Sequence, residues 1–334
     1  MTGESKVAPV AEELENARQS IQQLLDTLGG AIVGQERLLI GVVVGLLARG
    51  NVLLEGQPGL GKTLLVKLLA QALHLDFSRV QFTPDLMPAD ITGTQALVSA
   101  ADGSNQLVFR KGPLFANIVL ADEINRATPK TQSALLEAMQ EQGVTVAGRR
   151  HLLPAPFAVI ATQNPIEMEG TYPLPEAQLD RFMMKLSVSF PDVEALAEIA
   201  MRTTGTETLS VKQVMDGPAL KTLQEQVRGV IVDPLLARRA AELVAATHPG
   251  NQNASPAIAR FVKYGASPRA VQALVLAGRA NALMAGRAFV TAEDLFAFAQ
   301  EILAHRLVVG FEAELEGVTS EELVKTVVES MTEL

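Results

Sequence analysis

The sequence predicts an α/β domain, a parallel sheet with flanking helices, followed by a smaller domain made only of helices. Three observations carry this. Between Gly50 and Phe190, short apolar runs alternate with helical stretches. The strand signal then stops at Pro191-Asp192. Beyond that point helix starts recur: Asp233-Pro234 and Ser267-Pro268 each place a capping side chain before a proline, and Thr291 with Asp294 resembles a capping box.

Taken in order, residues 1–18 read as a polar tail passing into a helix near Glu12. Asn51–Leu54 is the first expected strand; it ends at Glu55-Gly56 and leads into a helix over Thr63–Leu73. Further strands are expected over Asn117–Ala121, Phe157–Ala161 and Met183–Phe190. These runs are mainly apolar, which suggests a parallel sheet covered on both faces. From Asp192 to about Leu307 only helices are expected. The division is therefore a tail over 1–18, an α/β domain over 19–191, a helical domain over 192–310, and an acidic stretch over 311–334 with one amphipathic helix.

The bulk composition sets limits. The chain has 334 residues, enough for about two domains, and 48% are hydrophobic, so cores can form. A net charge of −9 disfavours nucleic acid as the partner, because duplex binding usually relies on a basic surface. With no cysteine, disulfides and thiol chemistry are excluded. Leu38–Ala48, the longest apolar stretch, is well short of the ~20 residues of a membrane span. The N-terminus lacks a signal-peptide pattern, so a cytoplasmic protein is expected.

Gly56-Gln57-Pro58-Gly59-Leu60-Gly61-Lys62-Thr63, with Leu64 behind it, fits G-x-x-x-x-G-K-[ST] between an expected strand and an expected helix. Glycines let backbone N–H groups converge on phosphate oxygens, and the helix adds its positive end. Lys62 would reach the β- and γ-phosphates, and the Thr63 hydroxyl would bind Mg²⁺. Sixty positions after Lys62, Ile118–Ala121 runs into Asp122-Glu123. Asp122 is the expected second metal residue, and Glu123 the base that polarises water. An Asn-Lys-x-Asp guanine-reading motif is missing from the chain, which favours ATP over GTP.

Asp122-Glu123-Ile124-Asn125-Arg126 and Gln132–Met139 resemble the MoxR branch of AAA+ ATPases, as do Thr162-Gln163-Asn164-Pro165 and Glu169–Phe182. The likeness covers most of residues 30–310. It implies an AAA+ P-loop core with a helical lid, ATP and Mg²⁺ as ligands, and a ring oligomer, often a hexamer. It also implies a protein client and a separate partner carrying a von Willebrand factor A domain. Asn164 matches the sensor 1 position, Arg181 the arginine finger that reaches a neighbouring subunit, and Arg269 sensor 2. Val33-Gly34-Gln35 matches the segment that borders adenine.

The bare-sequence alternative for Arg181 is a surface pair with Asp180. For Arg269 there is a separate physical argument. A cation in the first turn of a helix opposes its dipole by ~0.3–1 kcal/mol, and an anion opposite would remove that penalty. About Pro84 to Gly112 corresponds to the branch's helix-2 insert. Gly143–Leu153 reads as a β-hairpin turning through Ala147-Gly148-Arg149-Arg150. Arg149 and Arg150 could meet a partner or only solvent, and Arg126 could reach a neighbour or anchor its own loop.

The expected function is Mg²⁺-dependent ATP hydrolysis coupled to remodelling or maturation of protein clients. A nucleic-acid motor and a nucleotide-binding scaffold without turnover are the alternatives. The acidic charge weighs against the first, and the intact Glu123, Asn164 and Arg181 against the second.

Overall fold

The computed structural model describes residues 10–99, 105–165, 171–205 and 209–332. Glu169 and Gly170 of the resemblance block, and the first nine residues of the polar tail, lie outside the described residues.

Two helices precede the sheet. α1 (Ala11–Gly29) buries Leu14, Ala17, Ile21, Leu24 and Leu28, the three- and four-residue spacing of an amphipathic helix. α2 (Glu36–Leu47) is buried almost all round, which accounts for the apolar stretch at 38–48. Among the described residues no helix is long and apolar enough to cross a membrane.

The sheet domain runs β1 (Val52–Glu55), α3 (Lys62–Ala72), β2 (Phe77–Gln81), α4 (Pro88–Thr92), β3 (Gly93–Ser99), β4 (Asn105–Lys111), β5 (Ile118–Asp122), α5 (Pro129–Glu141), β6 (Gly143–Val146), β7 (Arg149–Leu152), β8 (Ala158–Gln163), α6 (Glu176–Leu179) and β9 (Met184–Ser187). Five strands pair in parallel in the order β2-β5-β8-β1-β9. All four expected strands are present, each starting one residue later than the sequence suggested, and β9 stops at Ser187 rather than Phe190.

The fifth strand, β2, was not expected. It is an edge strand whose Phe-Ser-Arg-Val-Gln sequence buries only Val80, so it offers no apolar run. The insert region forms α4 and the antiparallel β3–β4 hairpin. The expected 143–153 hairpin is β6–β7, turning at Ala147-Gly148, both at positive φ, so Arg149 and Arg150 belong to the second strand.

The lid follows: α7 (Val193–Thr203), α8 (Gly217–Gly229), α9 (Pro234–Ala246), α10 (Pro256–Phe261), β10 (Val262–Tyr264), α11 (Pro268–Met284), α12 (Ala292–Phe296), α13 (Ala299–Leu303), β11 (Val308–Val309), α14 (Phe311–Glu316) and α15 (Ser320–Thr332). Asp233 and Ser267 cap as expected, and the Thr291–Asp294 capping box is complete. Two expectations need correction. The stretch is not purely helical, because β10 pairs with β11 and Ile231 bridges Phe289; pairings of two or three residues leave no periodic signal. The C-terminal stretch holds two helices, not one, since Gly317 at positive φ breaks it.

Even in these apolar strands side chains alternate between faces. Val52 and Leu54 join a core with α1, α2, α3 and the lid helices, whereas Leu53 joins a second core with Val119, Phe82 and α5 on the opposite face. The register places Glu55 beside Gln163 and Gln81 beside Asp122, so the carboxyl ends of four strands form one edge.

Candidate active site

The loop Gly56–Gly61 connects β1 to α3 at that edge. Gly59 and Gly61 have φ of 85° and 76°, a left-handed conformation that strains any residue with a Cβ. Gly56 has a different constraint: a Cβ there would stand 2.9 Å from the carbonyl oxygen of Val188. Lys62 opens α3 and folds back over its own loop, donating to the carbonyls of Gly56 and, at 3.1 Å, Gln57. Burial pushes the Lys62 ammonium below its ordinary value, against the opposing pull of Asp122, Glu123 and Glu55.

Asp122 ends β5, the strand buried along its whole length. Its Oδ1 accepts from the Thr162 hydroxyl at 2.6 Å, and its Oδ2 from Arg79 Nη2 at 2.7 Å and Nε at 3.0 Å. Glu123 follows at φ 55°, ψ 52°, a left-handed position that costs a residue with a Cβ about 1–3 kcal/mol. Its N–H donates to the Thr162 hydroxyl at 2.8 Å, so that one hydroxyl fixes both acids. Glu123 Oε2 accepts from Gln81 Nε2 at 2.8 Å and from Arg126 Nη1 at 2.9 Å. Arg126 thus anchors the Glu123 turn of its own chain.

Lys62, Thr63, Arg79, Asp122, Glu123 and Asn164 all line one cavity of about 370 Å³. Asn164 sits just past the end of β8, opposite the loop. The donors Thr63 and Asp122 are a hydroxyl and a carboxylate, the hard oxygens that magnesium prefers. Among the described residues no cluster of three or more His, Cys, Asp or Glu could hold a metal by itself. The pair therefore suits an ion that takes one or two protein oxygens and completes its shell with phosphate and water.

A second cavity of about 390 Å³ shares Gly59, Leu60, Gly61 and Leu64 with the first, and its walls include Ile32, Val33, Gln35, Phe190, Leu196 and Ile199. The two form one trough, polar over the acids and apolar beyond the loop. Gly34 lets this segment pass close to α7, since a Cβ there would meet the Ala195 methyl at 3.0 Å. Gln35 is buried, and its amide donates to the Ser189 carbonyl at 2.9 Å.

Arg181 and Arg269 stand outside this trough. The alternative of a surface pair between Arg181 and Asp180 is not formed. Asp180 instead takes Arg269 Nη1 on Oδ2 at 3.0 Å, and Arg306 Nε at 2.9 Å and the Ser267 hydroxyl at 2.8 Å on Oδ1. Arg306, only 2% exposed, outcompetes Arg181 because a buried guanidinium must find a counter-charge. It also donates to the carbonyls of Phe182 at 2.6 Å and Met183 at 3.1 Å. Arg181 Nε is buried and has no hydrogen-bond partner among the described residues. Arg150 is tied to α5 through the Glu141 carbonyl at 2.8 Å.

Sequence reasoning missed Arg79, Gln81, Thr162 and Arg306, and the apolar wall of Phe190, Leu196 and Ile199. Arg79 and Gln81 share one face of β2, but that spacing carries no signal until the strand itself is known. Arg306 carries no motif of its own.

A phosphate loop after one sheet strand, with acids delivered by the strand next but one and a helical lid beyond, is how P-loop nucleotide-binding proteins of the AAA class are arranged. Known proteins match accordingly. The model for the "ATPase family associated with various cellular activities (AAA)" matches residues 51–184, and that for the "AAA lid domain" matches 255–327. Chaperone MoxR1 of Mycobacterium tuberculosis is 41% identical over 321 residues, covering 96% of this chain and 84% of that protein. Protein MoxR of Paracoccus denitrificans is 34% identical over 295 residues, covering 84% of this chain and 86% of that one. The crystal structure of a candidate ATPase from Cytophaga hutchinsonii superposes with a TM-score of 0.89 at 39% identity, covering 95% of this chain and 96% of that chain. The chain belongs to the MoxR family of AAA ATPases.

Proposed function

We propose that the chain hydrolyses ATP in an oligomer whose active sites are shared between neighbouring subunits, and that the cycle remodels or matures a protein client. The observation that carries this is the single trough in which the phosphate loop, two acids on a left-handed turn, and an apolar wall meet.

In this reading adenine lies against Leu196 and Ile199, and the triphosphate follows the loop N–H groups to Lys62. Lys62 leaves the Gly56 and Gln57 carbonyls to bind the β- and γ-phosphates. Bound between Thr63 and Asp122, magnesium would neutralise charge on the phosphates. Glu123 takes the proton of the attacking water, and Asn164 holds that water in line. Arg269 leaves Asp180 for the γ-phosphate of its own subunit. Arg181, placed outside its own trough, serves the site of the next subunit, where such an arginine is worth roughly 10³–10⁵ in rate.

Ring assembly, a separate partner with a von Willebrand factor A domain, and a chaperone role are part of this proposal; for the last, MoxR1 of Mycobacterium tuberculosis is named a chaperone. The test is Mg²⁺-dependent ATP hydrolysis over a range of protein concentrations, with Glu123→Gln as control. Specific activity should rise with concentration and vanish in the variant. Activity flat with concentration and indifferent to Glu123 would remove both the base and the shared site.

A further inference from the structure

Arg79 stands at the metal carboxylate without belonging to any phosphate-binding motif. It lies on β2 opposite Leu120, and Gln81 lies opposite Asp122, so both side chains reach the same end of the sheet. The Asp122 side chain is 11% exposed, and a carboxylate so buried is costly unless a cation and hydrogen bonds compensate it. Arg79 supplies two N–H groups to Oδ2 and Thr162 one O–H to Oδ1. That uses three of the roughly four acceptor positions of a carboxylate.

A hydrated magnesium ion at Asp122 needs those same lone pairs, for the metal itself or for a water ligand that donates to them. Two N–H groups at 2.7 and 3.0 Å leave Oδ2 no room for either. Magnesium, or a water bound to it, can therefore reach Oδ2 only if one of the two groups moves. Asp122 is held by its strand and by Thr162, whereas the Arg79 side chain is 48% exposed and lines the cavity itself. Arg79 also has a second acceptor, Gln81 Oε1, at 2.7 Å.

We propose that Arg79 is a placeholder cation: it neutralises and orients Asp122 until magnesium arrives, and the metal must displace it. Arg79 is thus a positioning residue that sets how much Mg²⁺ the site requires. Through Gln81, which accepts from Arg79 and donates to Glu123, its departure is also felt at the base. This inference rests on the reading of Asp122 as the magnesium carboxylate.

The test uses the full-length protein and a fluorescent ADP analogue at fixed concentration, titrated with Mg²⁺ in the wild type, Arg79→Ala and Arg79→Lys. The half-saturating Mg²⁺ should fall by about tenfold in Arg79→Ala, the scale of a lost charge-assisted pair. Arg79→Lys should fall between, since a lysine keeps the charge but not the fork. Mg²⁺ alone should raise the melting temperature of Arg79→Ala by more than it raises that of the wild type. If Arg79→Ala does not fold, the lysine variant carries the titration. An unchanged or higher Mg²⁺ requirement in a folded variant overturns the proposal alone. Analogue binding by the wild type that ignores Mg²⁺ overturns the reading of Asp122 and the proposal with it.

Discussion

Asp180 Oδ2 accepts from Arg269 Nη1 at 3.0 Å, joining the residue beside Arg181 to the first turn of α11. The other oxygen of the same carboxylate holds Arg306. One side chain from the sheet domain therefore grips two lid cations. In the proposed cycle Arg269 would exchange Asp180 for a phosphate, and Arg181 stands one peptide away. A change at one subunit's own nucleotide would reach, through Asp180, the arginine offered to its neighbour.

Removing the carboxylate should be expensive. Asp180→Ala leaves Arg306 buried without its counter-charge, a loss of about 3–5 kcal/mol by the usual cost of breaking a buried pair. Arg306→Met, which removes the buried charge itself, should cost less. Urea denaturation of the two variants beside the wild type decides the order.

The shared site predicts complementation. Arg181→Ala and Glu123→Gln should each abolish hydrolysis when assayed alone. Mixed subunits should regain part of it, because an interface can then unite an intact Glu123 with an intact Arg181. Mixtures as inactive as the separate variants would place Arg181 in its own subunit's chemistry or in none.

The apolar wall predicts selectivity for the base. Ile199→Ala removes about 1–2 kcal/mol of apolar contact, so ATP should bind roughly 5- to 30-fold more weakly. Binding of tripolyphosphate, which has no base, should not change. Competition by both ligands against a fluorescent nucleotide separates the two effects.

His305 predicts a pH effect on stability. Its ring lies between the carbonyls of Glu301, 3.1 Å from Nδ1, and Phe182, 3.3 Å from Nε2. Burial, reinforced by the neighbouring Arg306 charge, holds its pKa well below 6.5. The unfolded chain takes up a proton near 6.5 that the folded chain refuses. Stability is therefore complete above that pH and falls below it, by up to about 1.4 kcal/mol per pH unit. Urea titrations at pH 7.5, 6.5 and 5.5 should show this slope in the wild type, and His305→Asn should flatten it.

The sequence disclosed what local rules encode. The phosphate loop was legible because its glycines and lysine are adjacent, and β1, β5 and β8 because strands covered on both faces are largely apolar; β9, an edge strand carrying Lys185 and Ser187, was legible through Met183, Met184, Leu186 and Val188. The hairpin at 143–152 and the lid's helix starts announced themselves through turns and caps. β2 stayed hidden because an edge strand needs no apolar run, and Arg79 and Gln81 were hidden with it. Arg306 and the apolar wall of the trough depend on contacts between segments far apart in the chain. No spacing rule reveals that Asp180 would choose an arginine more than a hundred positions away over the one beside it.

The left-handed backbone at Glu123 has an evolutionary consequence. Glycine would relieve that turn of about 1–2 kcal/mol, and asparagine also tolerates it better than most residues. A population of variants selected only for heat resistance should accumulate glycine at this position, gaining endurance while losing the proposed catalytic base. Glutamate persisting at 123 would then record selection for turnover, in a position where folding alone favours something smaller.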